Sequence, residues 1–221
     1  MKTKSIISLF FVLAMTSAIT SCAQKNDKKK SDKAIVIDYS KYSKAVFAAG
    51  CFWHEEALYD GMKGVVEAVS GYAGGDFANP GYEDVLTGNT GHAESVIVYY
   101  DSSQVTFPTL LKAYFEAQDP TSSDGQGYDR GPQYRSIAFY NNAEEKKEIE
   151  DYIAQLNASG KYDKAIAVQV VKLKKFYEAE AYHQDYVTKN PNSSYVQNVC
   201  IKEVKHFQKK FPELVKPDKF Y

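Results

Sequence analysis

Cys51 is the residue of this 221-residue chain best placed for nucleophilic work. It follows Gly50 at the end of a short apolar run and opens a stretch, residues 51–62, with helical spacing. Free amides and the positive end of a helix dipole favour a thiolate at such a position. A lone cysteine in an arbitrary protein is more often a small buried hydrophobe, and only its place and neighbours distinguish Cys51. Phe52 and Trp53, the latter the only tryptophan, could wall an apolar pocket beside the sulfur or belong to the core. Glu94 is the second candidate. Strand period sets it on one face with Val96, Val98 and Tyr100, where lost hydration would keep its carboxyl protonated and able to donate. A solvated glutamate at a strand end is the plainer reading. His92, two residues earlier on that face, is a rival acid–base group.

The elements that must position these residues follow from apolar runs and turn signals. Residues 44–49 read as a buried central strand, 65–72 and 94–100 as two more, and 107–117 as a helix stopped by Asp119-Pro120. A strand at 135–140, a helix at 144–156 and a strand at 166–171 follow, with helices expected at 178–188 and 202–210. Several strand pairs have no crossover helix between them, which favours α+β over a doubly wound sheet. The loops 71–90 and 118–133 are long and rich in Gly, Asp and Pro, as functional loops are.

Composition narrows the field. With 27 Lys+Arg against 28 Asp+Glu, the net charge of -1 offers no field for nucleic acid. The length, with 44% hydrophobic content, suits one substantial core. The N-terminus differs: Lys2 and Lys4 precede an apolar run over 6–14 and then small residues, the pattern of an export signal too short to span a bilayer. Residues 18–22 (AITSC) resemble a bacterial lipoprotein signal in which cleavage leaves Cys22 lipidated. We therefore divide the chain into a signal at 1–21, a lipid-anchored polar tether at 22–38 and a catalytic domain at 39–221, exported and held at the cell envelope. If Cys22 carries lipid, Cys51 and Cys200 are the only remaining thiols; a disulfide scaffold is excluded, and no close metal-ligand pair occurs.

Motifs in a fixed order then resemble one family. Gly50-Cys51-Phe52-Trp53 with Glu56 looks like a catalytic signature. Gly71-Tyr72-Ala73-Gly74-Gly75, the run 82–94 (YEDVLTGNTGHAE) and Asp119-Pro120-Thr121 follow. Gln126-Gly127-Tyr128-Asp129 with Gln133-Tyr134-Arg135-Ser136, and Ala179-Glu180-Ala181-Tyr182-His183-Gln184, complete the set. Together these match the A-type peptide methionine sulfoxide reductases across nearly the whole domain.

The resemblance implies a two-layer α/β plait with a ferredoxin-like core and long functional loops. It implies Cys51 as nucleophile, Glu94 as proton donor, and the Tyr82 and Tyr134 hydroxyls as holders of the sulfoxide oxygen. Phe52 and Trp53 would form the S-methyl pocket, Asp129 would orient it, and His183 and Tyr186 would form its outer wall. The implied reaction converts the S epimer of methionine sulfoxide, free or in oxidised proteins, to methionine through a Cys51 sulfenic acid. No cofactor is implied; a thioredoxin-like reductant is, and a monomer is expected.

The chain departs from the family pattern at three points. Gln118 stands where histidine is common, Pro132 where Thr is usual, and Val196 follows Tyr195 where many relatives have Tyr-Cys. Cys200 is the remaining nearby thiol. Its apolar neighbours Val199 and Ile201 suggest a buried structural cysteine, with reduction of Cys51 by an external thiol, and a Cys51–Cys200 disulfide as the other possibility. Two rival functions stay open at this level: a Cys-His hydrolase using His92 or His183, and a non-catalytic lipoprotein whose aromatic pocket binds apolar side chains.

Overall fold

A computed structural model describes residues 37–221. The signal, Cys22 and nearly all of the tether lie outside the described residues. In chain order the elements are β1 (Ser43–Ala48), α1 (Phe52–Asp60), β2 (Val65–Ala73), α2 (Tyr82–Leu86), β3 (Ala93–Tyr100), α3 (Phe107–Glu116), β4 (Gly125–Gln126) and β5 (Asp129–Arg130). They continue as β6 (Ile137–Tyr140), α4 (Ala143–Ala158), β7 (Gln169–Lys172), β8 (Phe176–Glu178), α5 (Tyr186–Lys189) and α6 (Ile201–Lys210). A π-helical turn, Val196–Cys200, leads directly into α6.

Six strands form one mixed sheet in the order β7-β6-β1-β3-β2-β8. Only β6 and β7 run parallel; β1 lies antiparallel between β3 and β6. This is the mixed α/β architecture expected, and β4 and β5 add a separate two-strand hairpin. Strand period explains why β1 reads as a continuous apolar run. Ala45 and Phe47 enter the large cluster formed with the helices, whereas Val46 and Ala48 enter a smaller one on the other face. On β3 the same period puts Val96, Val98 and Tyr100 in the large cluster. Glu94, the second residue of β3, therefore lies on the helix-covered side, as its spacing predicted.

Two elements differ from expectation. Residues 178–188 form no single helix: Phe176–Glu178 is a strand, and α5 starts only at Tyr186, after Asp185 at φ 54°. Tertiary bonds override helical propensity there. The Gln184 side chain accepts from the Ser70 N–H at 3.0 Å and donates to the Ser70 and Ala179 carbonyls at 3.0 and 2.9 Å. The strand expected at 166–171 begins at Gln169, because the Ala167 N–H donates to the Pro120 carbonyl at 2.8 Å instead of joining the sheet.

The junction between β1 and α1 sets the position of Cys51. Gly50 has φ 75°, and its N–H donates to the Tyr134 carbonyl at 3.1 Å. A side chain there would adopt a left-handed conformation and bring its Cβ within 2.8 Å of the Gln126 Cβ. Glycine thus lets the 118–133 loop close directly over the turn that presents the cysteine.

Candidate active site

Cys51 caps the N-terminus of α1, buried and 5% exposed. It opens on a cavity of about 170 Å³ lined also by Phe52, Trp53, Tyr82, Glu94, Asp129, Tyr134 and Tyr195. All of these except Tyr195 were expected at the site. They come from β1–α1, α2, β3, the β4–β5 hairpin, the turn before β6 and the residue that precedes the π turn.

The carboxyl of Glu94 accepts a hydrogen bond from the Phe52 N–H at 3.1 Å through Oε2. This takes up one of the amides at the start of α1 that would otherwise favour a thiolate at Cys51. Burial dominates the thiol's ionisation and pushes it well above the ordinary cysteine range, with Cys200 and Glu94 adding to the rise and His54 opposing it. The acidified resting thiol expected from the helix start is therefore not what the site holds. Glu94 is raised as well, to about 8, by burial in the first place, with the Phe52 N–H lowering it and Asp129 raising it. Near neutral pH the cavity thus contains an un-ionised thiol beside a protonated carboxyl.

Tyr82 and Tyr134 face this pair. Burial, Glu94 and Cys51 lift Tyr82 to about 12. Tyr134 is raised too, by burial first and then by Glu94 and Tyr82. Both phenols keep their protons and can donate. Tyr82 is fixed through Glu180, whose Oε1 accepts from the Tyr82 N–H and whose Oε2 accepts from the Tyr72 hydroxyl, each at 2.9 Å. The turn carrying Tyr134 is held by Arg135, which donates to the Pro132 and Gly91 carbonyls at 2.7 and 2.9 Å.

The expected outer wall is present but does not line the cavity. Tyr186 stacks on Trp53 with ring centroids 3.7 Å apart and an interplanar angle of 7°. Trp53 Nε1–H donates to His183 Nδ1 at 3.1 Å. The buried His183 ring, held below its usual pKa by burial, packs 5.0 Å from Phe52 and 4.4 Å from Tyr82. His183 is therefore a neutral acceptor that orients Trp53. His92 is similarly occupied: its Nδ1 accepts from the Gly75 N–H at 3.1 Å and its Nε2 lies 2.8 Å from the Phe77 carbonyl. Neither histidine lines the Cys51 cavity, where the base of a Cys-His hydrolase would have to stand. Glu56 has a structural task, accepting from the Ser70 hydroxyl at 2.9 Å and the Asp185 N–H at 3.0 Å.

Tyr195, His54 and Glu203 escaped the sequence reading. The Tyr195 hydroxyl donates to Asp129 Oδ2 at 2.5 Å and also reaches the Cys51 side chain. His54 reaches the Cys51 thiol from α1, and Glu203 stands beside His54. Cys200 was read as structural, with a bridge to Cys51 as the other possibility. It is fully buried, as its neighbours suggested, but it is not remote: its side chain meets the Cys51 thiol. The π turn over Val196–Cys200 places it there, and such turns recur at functional sites. Both cysteines are free.

The likeness to known proteins extends over most of the described domain. The family model described as peptide methionine sulfoxide reductase matches residues 43–215. A peptide methionine sulfoxide reductase of Rhodopirellula baltica is 43% identical over 172 residues, covering 78% of this chain and 88% of the relative. One of Saccharolobus solfataricus is 42% identical over 172 residues, covering 78% and 96%. Among solved structures, methionine sulfoxide reductase A of Corynebacterium diphtheriae superposes with a TM-score of 0.62 at 35% identity, over 69% of this chain and 77% of that one. Mxr1 of Saccharomyces cerevisiae in reduced form does so with a TM-score of 0.63 at 34% identity, over 73% and 92%. With identity of this order running across the segment that supplies every wall of the Cys51 cavity, the chain belongs to the peptide methionine sulfoxide reductase family and is a thiol-dependent repair enzyme of that kind.

Proposed function

We propose that the chain reduces the S epimer of methionine sulfoxide by transferring its oxygen to Cys51. The observation that carries this reading is the convergence of the Cys51 thiol, the protonated Glu94 carboxyl and the Tyr82 and Tyr134 phenols on a single small cavity. Sulfoxide sulfur is a poor electrophile until its oxygen is hydrogen-bonded or protonated. Tyr82 and Tyr134 hold the oxygen, and Glu94 supplies a proton where charge develops. Phe52 and Trp53 take the S-methyl group. Cys51 attacks the sulfur, its proton passing to Glu94 as Glu94 gives up its own. Thiol and sulfoxide become sulfenic acid and thioether, so atoms and electrons balance. Asp129, bonded to Tyr195, orients the pocket.

Regeneration then runs through Cys200. Its thiol displaces hydroxide from the Cys51 sulfenic acid, giving a Cys51–Cys200 disulfide and water. What favours this route over direct external reduction is the adjacency of the two side chains. A dithiol protein of the thioredoxin type then reduces the bridge. Donors on one side of the cavity and an apolar methyl pocket on the other make the site handed. With dithiothreitol as reductant, the S epimer is expected to turn over and the R epimer to persist; equal rates on both would contradict the proposal.

The inner strand order β6-β1-β3-β2, with α1 joining β1 to β2 and α3 between β3 and β6, supports reading the core as a ferredoxin-like plait. We also propose an exported, envelope-anchored enzyme repairing exported proteins, on the strength of the apolar run at 6–14, Cys22 and the polar stretch after it. Labelled fatty acid should enter the wild type and not Cys22→Ala; incorporation into both or neither would refute the anchor.

A further inference from the structure

Behind the Cys51 sulfur, outside the substrate cavity, lies a buried polar group that the oxygen-transfer chemistry does not use. His54, on the first turn of α1, is 3% exposed. Its Nδ1 stands 3.3 Å from Glu203 Oε2 of α6, and neither atom has a hydrogen-bond partner among the described residues. Two such atoms left neutral would each carry an unmet desolvation cost, so the arrangement favours an imidazolium facing a carboxylate. The ring sits beneath the turn that presents the cysteine. A Cβ on Gly50 would lie 3.7 Å from His54 Cε1, and the His54 and Cys51 side chains are close enough for each to shift the other's ionisation. Glu203 is three residues beyond Cys200 on the same helical run, so the pair adjoins both thiols.

We propose that His54 is a further catalytic residue, a cation that carries the developing negative charge on Cys51 Sγ, and that Glu203 is the positioning residue that holds it charged. The proposal rests on Cys51 being the attacking thiol. It supplies what the cavity lacks. Burial, Cys200 and Glu94 all oppose ionisation of Cys51, Tyr82, Tyr134 and Tyr195 are uncharged, and among the strongest influences on the thiol His54 is the one that favours the thiolate. The groups facing His54 act together. Burial opposes its charge, while Glu203, the Cys51 thiol and Glu55 raise it to about 9. Glu55, itself lifted to about 8 by burial and lowered by His54 and the Ala49 N–H, is largely protonated near neutral pH. Glu203 therefore provides the main counter-charge.

The test is a residue-specific titration needing no turnover. The full reduced chain, labelled at cysteine Cβ with carbon-13, is followed by NMR from neutral to alkaline pH. In His54→Gln, Cys51 should hold about 10- to 1,000-fold less thiolate at a given pH, the effect of removing an opposite charge at close range. Glu203→Gln should shift it the same way by less. The kcat for sulfoxide should fall with KM little changed, and the deficit should shrink as pH rises. A Cys51 titration unmoved in His54→Gln would overturn the proposal. Should that variant not fold, histidine-labelled protein with the native His54 serves instead: Cys51→Ser should lower the His54 titration, and an unchanged one would overturn the proposal equally. Failure of the underlying reading looks different, since Cys51→Ser would then still reduce sulfoxide whatever the titrations show.

Discussion

Replacing Cys51 with Ser is expected to lower methionine sulfoxide turnover by on the order of 10⁴-fold or more, the scale on which loss of a nucleophile acts in other covalent mechanisms. The substitution is nearly isosteric at a site whose shape is fixed by other groups. The Gly50 N–H remains on the Tyr134 carbonyl and the Phe52 N–H on Glu94. The thermal transition should therefore change little, and steady-state assays beside a melting curve separate chemistry from folding. Turnover near the wild-type rate would remove Cys51 from the mechanism.

Glu94→Gln should cost on the order of 10²–10⁴-fold in kcat, the range typical of a lost general acid. Glutamine still donates a hydrogen bond but cannot release a proton to the sulfoxide oxygen. The sign of the pH dependence follows from the raised pKa. Glu94 is active as its acid, so it is competent below about 8 and loses that competence as pH rises through this value. The Cys51 thiolate grows in the opposite direction, because burial holds the thiol well above its ordinary range. In the wild type kcat should fall on the alkaline side near 8, and in Glu94→Gln that limb should vanish. A limb of the same position in both would assign it to another group.

Local patterns revealed the parts of the site that local patterns control. Strand, glycine, cysteine and helix in succession mark Cys51, and the period of β3 puts Glu94 on the helix-covered side. The tyrosines were legible only through family resemblance, since Tyr82 opens the short α2 and Tyr134 ends a single turn, and their placement depends on Glu180 and Arg135. Long-range encounters left no local trace. His54 meets Glu203 across 149 positions, as the two residue numbers give directly. Cys200 looked like a structural residue because its apolar neighbours describe its burial truly but say nothing of what it is buried against. The expected thiolate failed for a related reason: Glu94, 42 positions away, occupies the Phe52 amide that a local argument leaves free. The supposed helix at 178–188 gives way to side-chain bonds with β2 and α2, which no window of sequence contains.

The central claim, that oxygen passes to Cys51 and leaves through Cys200, is tested most directly by a single turnover. Reduced protein is mixed with one equivalent of methionine S-sulfoxide and no reductant, methionine is quantified, free thiols are counted and bridges are mapped by mass spectrometry. The account predicts one methionine formed, two thiols lost and a single Cys51–Cys200 bridge. Methionine formed with Cys51 still a free thiol would contradict the whole account, whereas a persistent Cys51 sulfenic acid beside reduced Cys200 would contradict the route through Cys200.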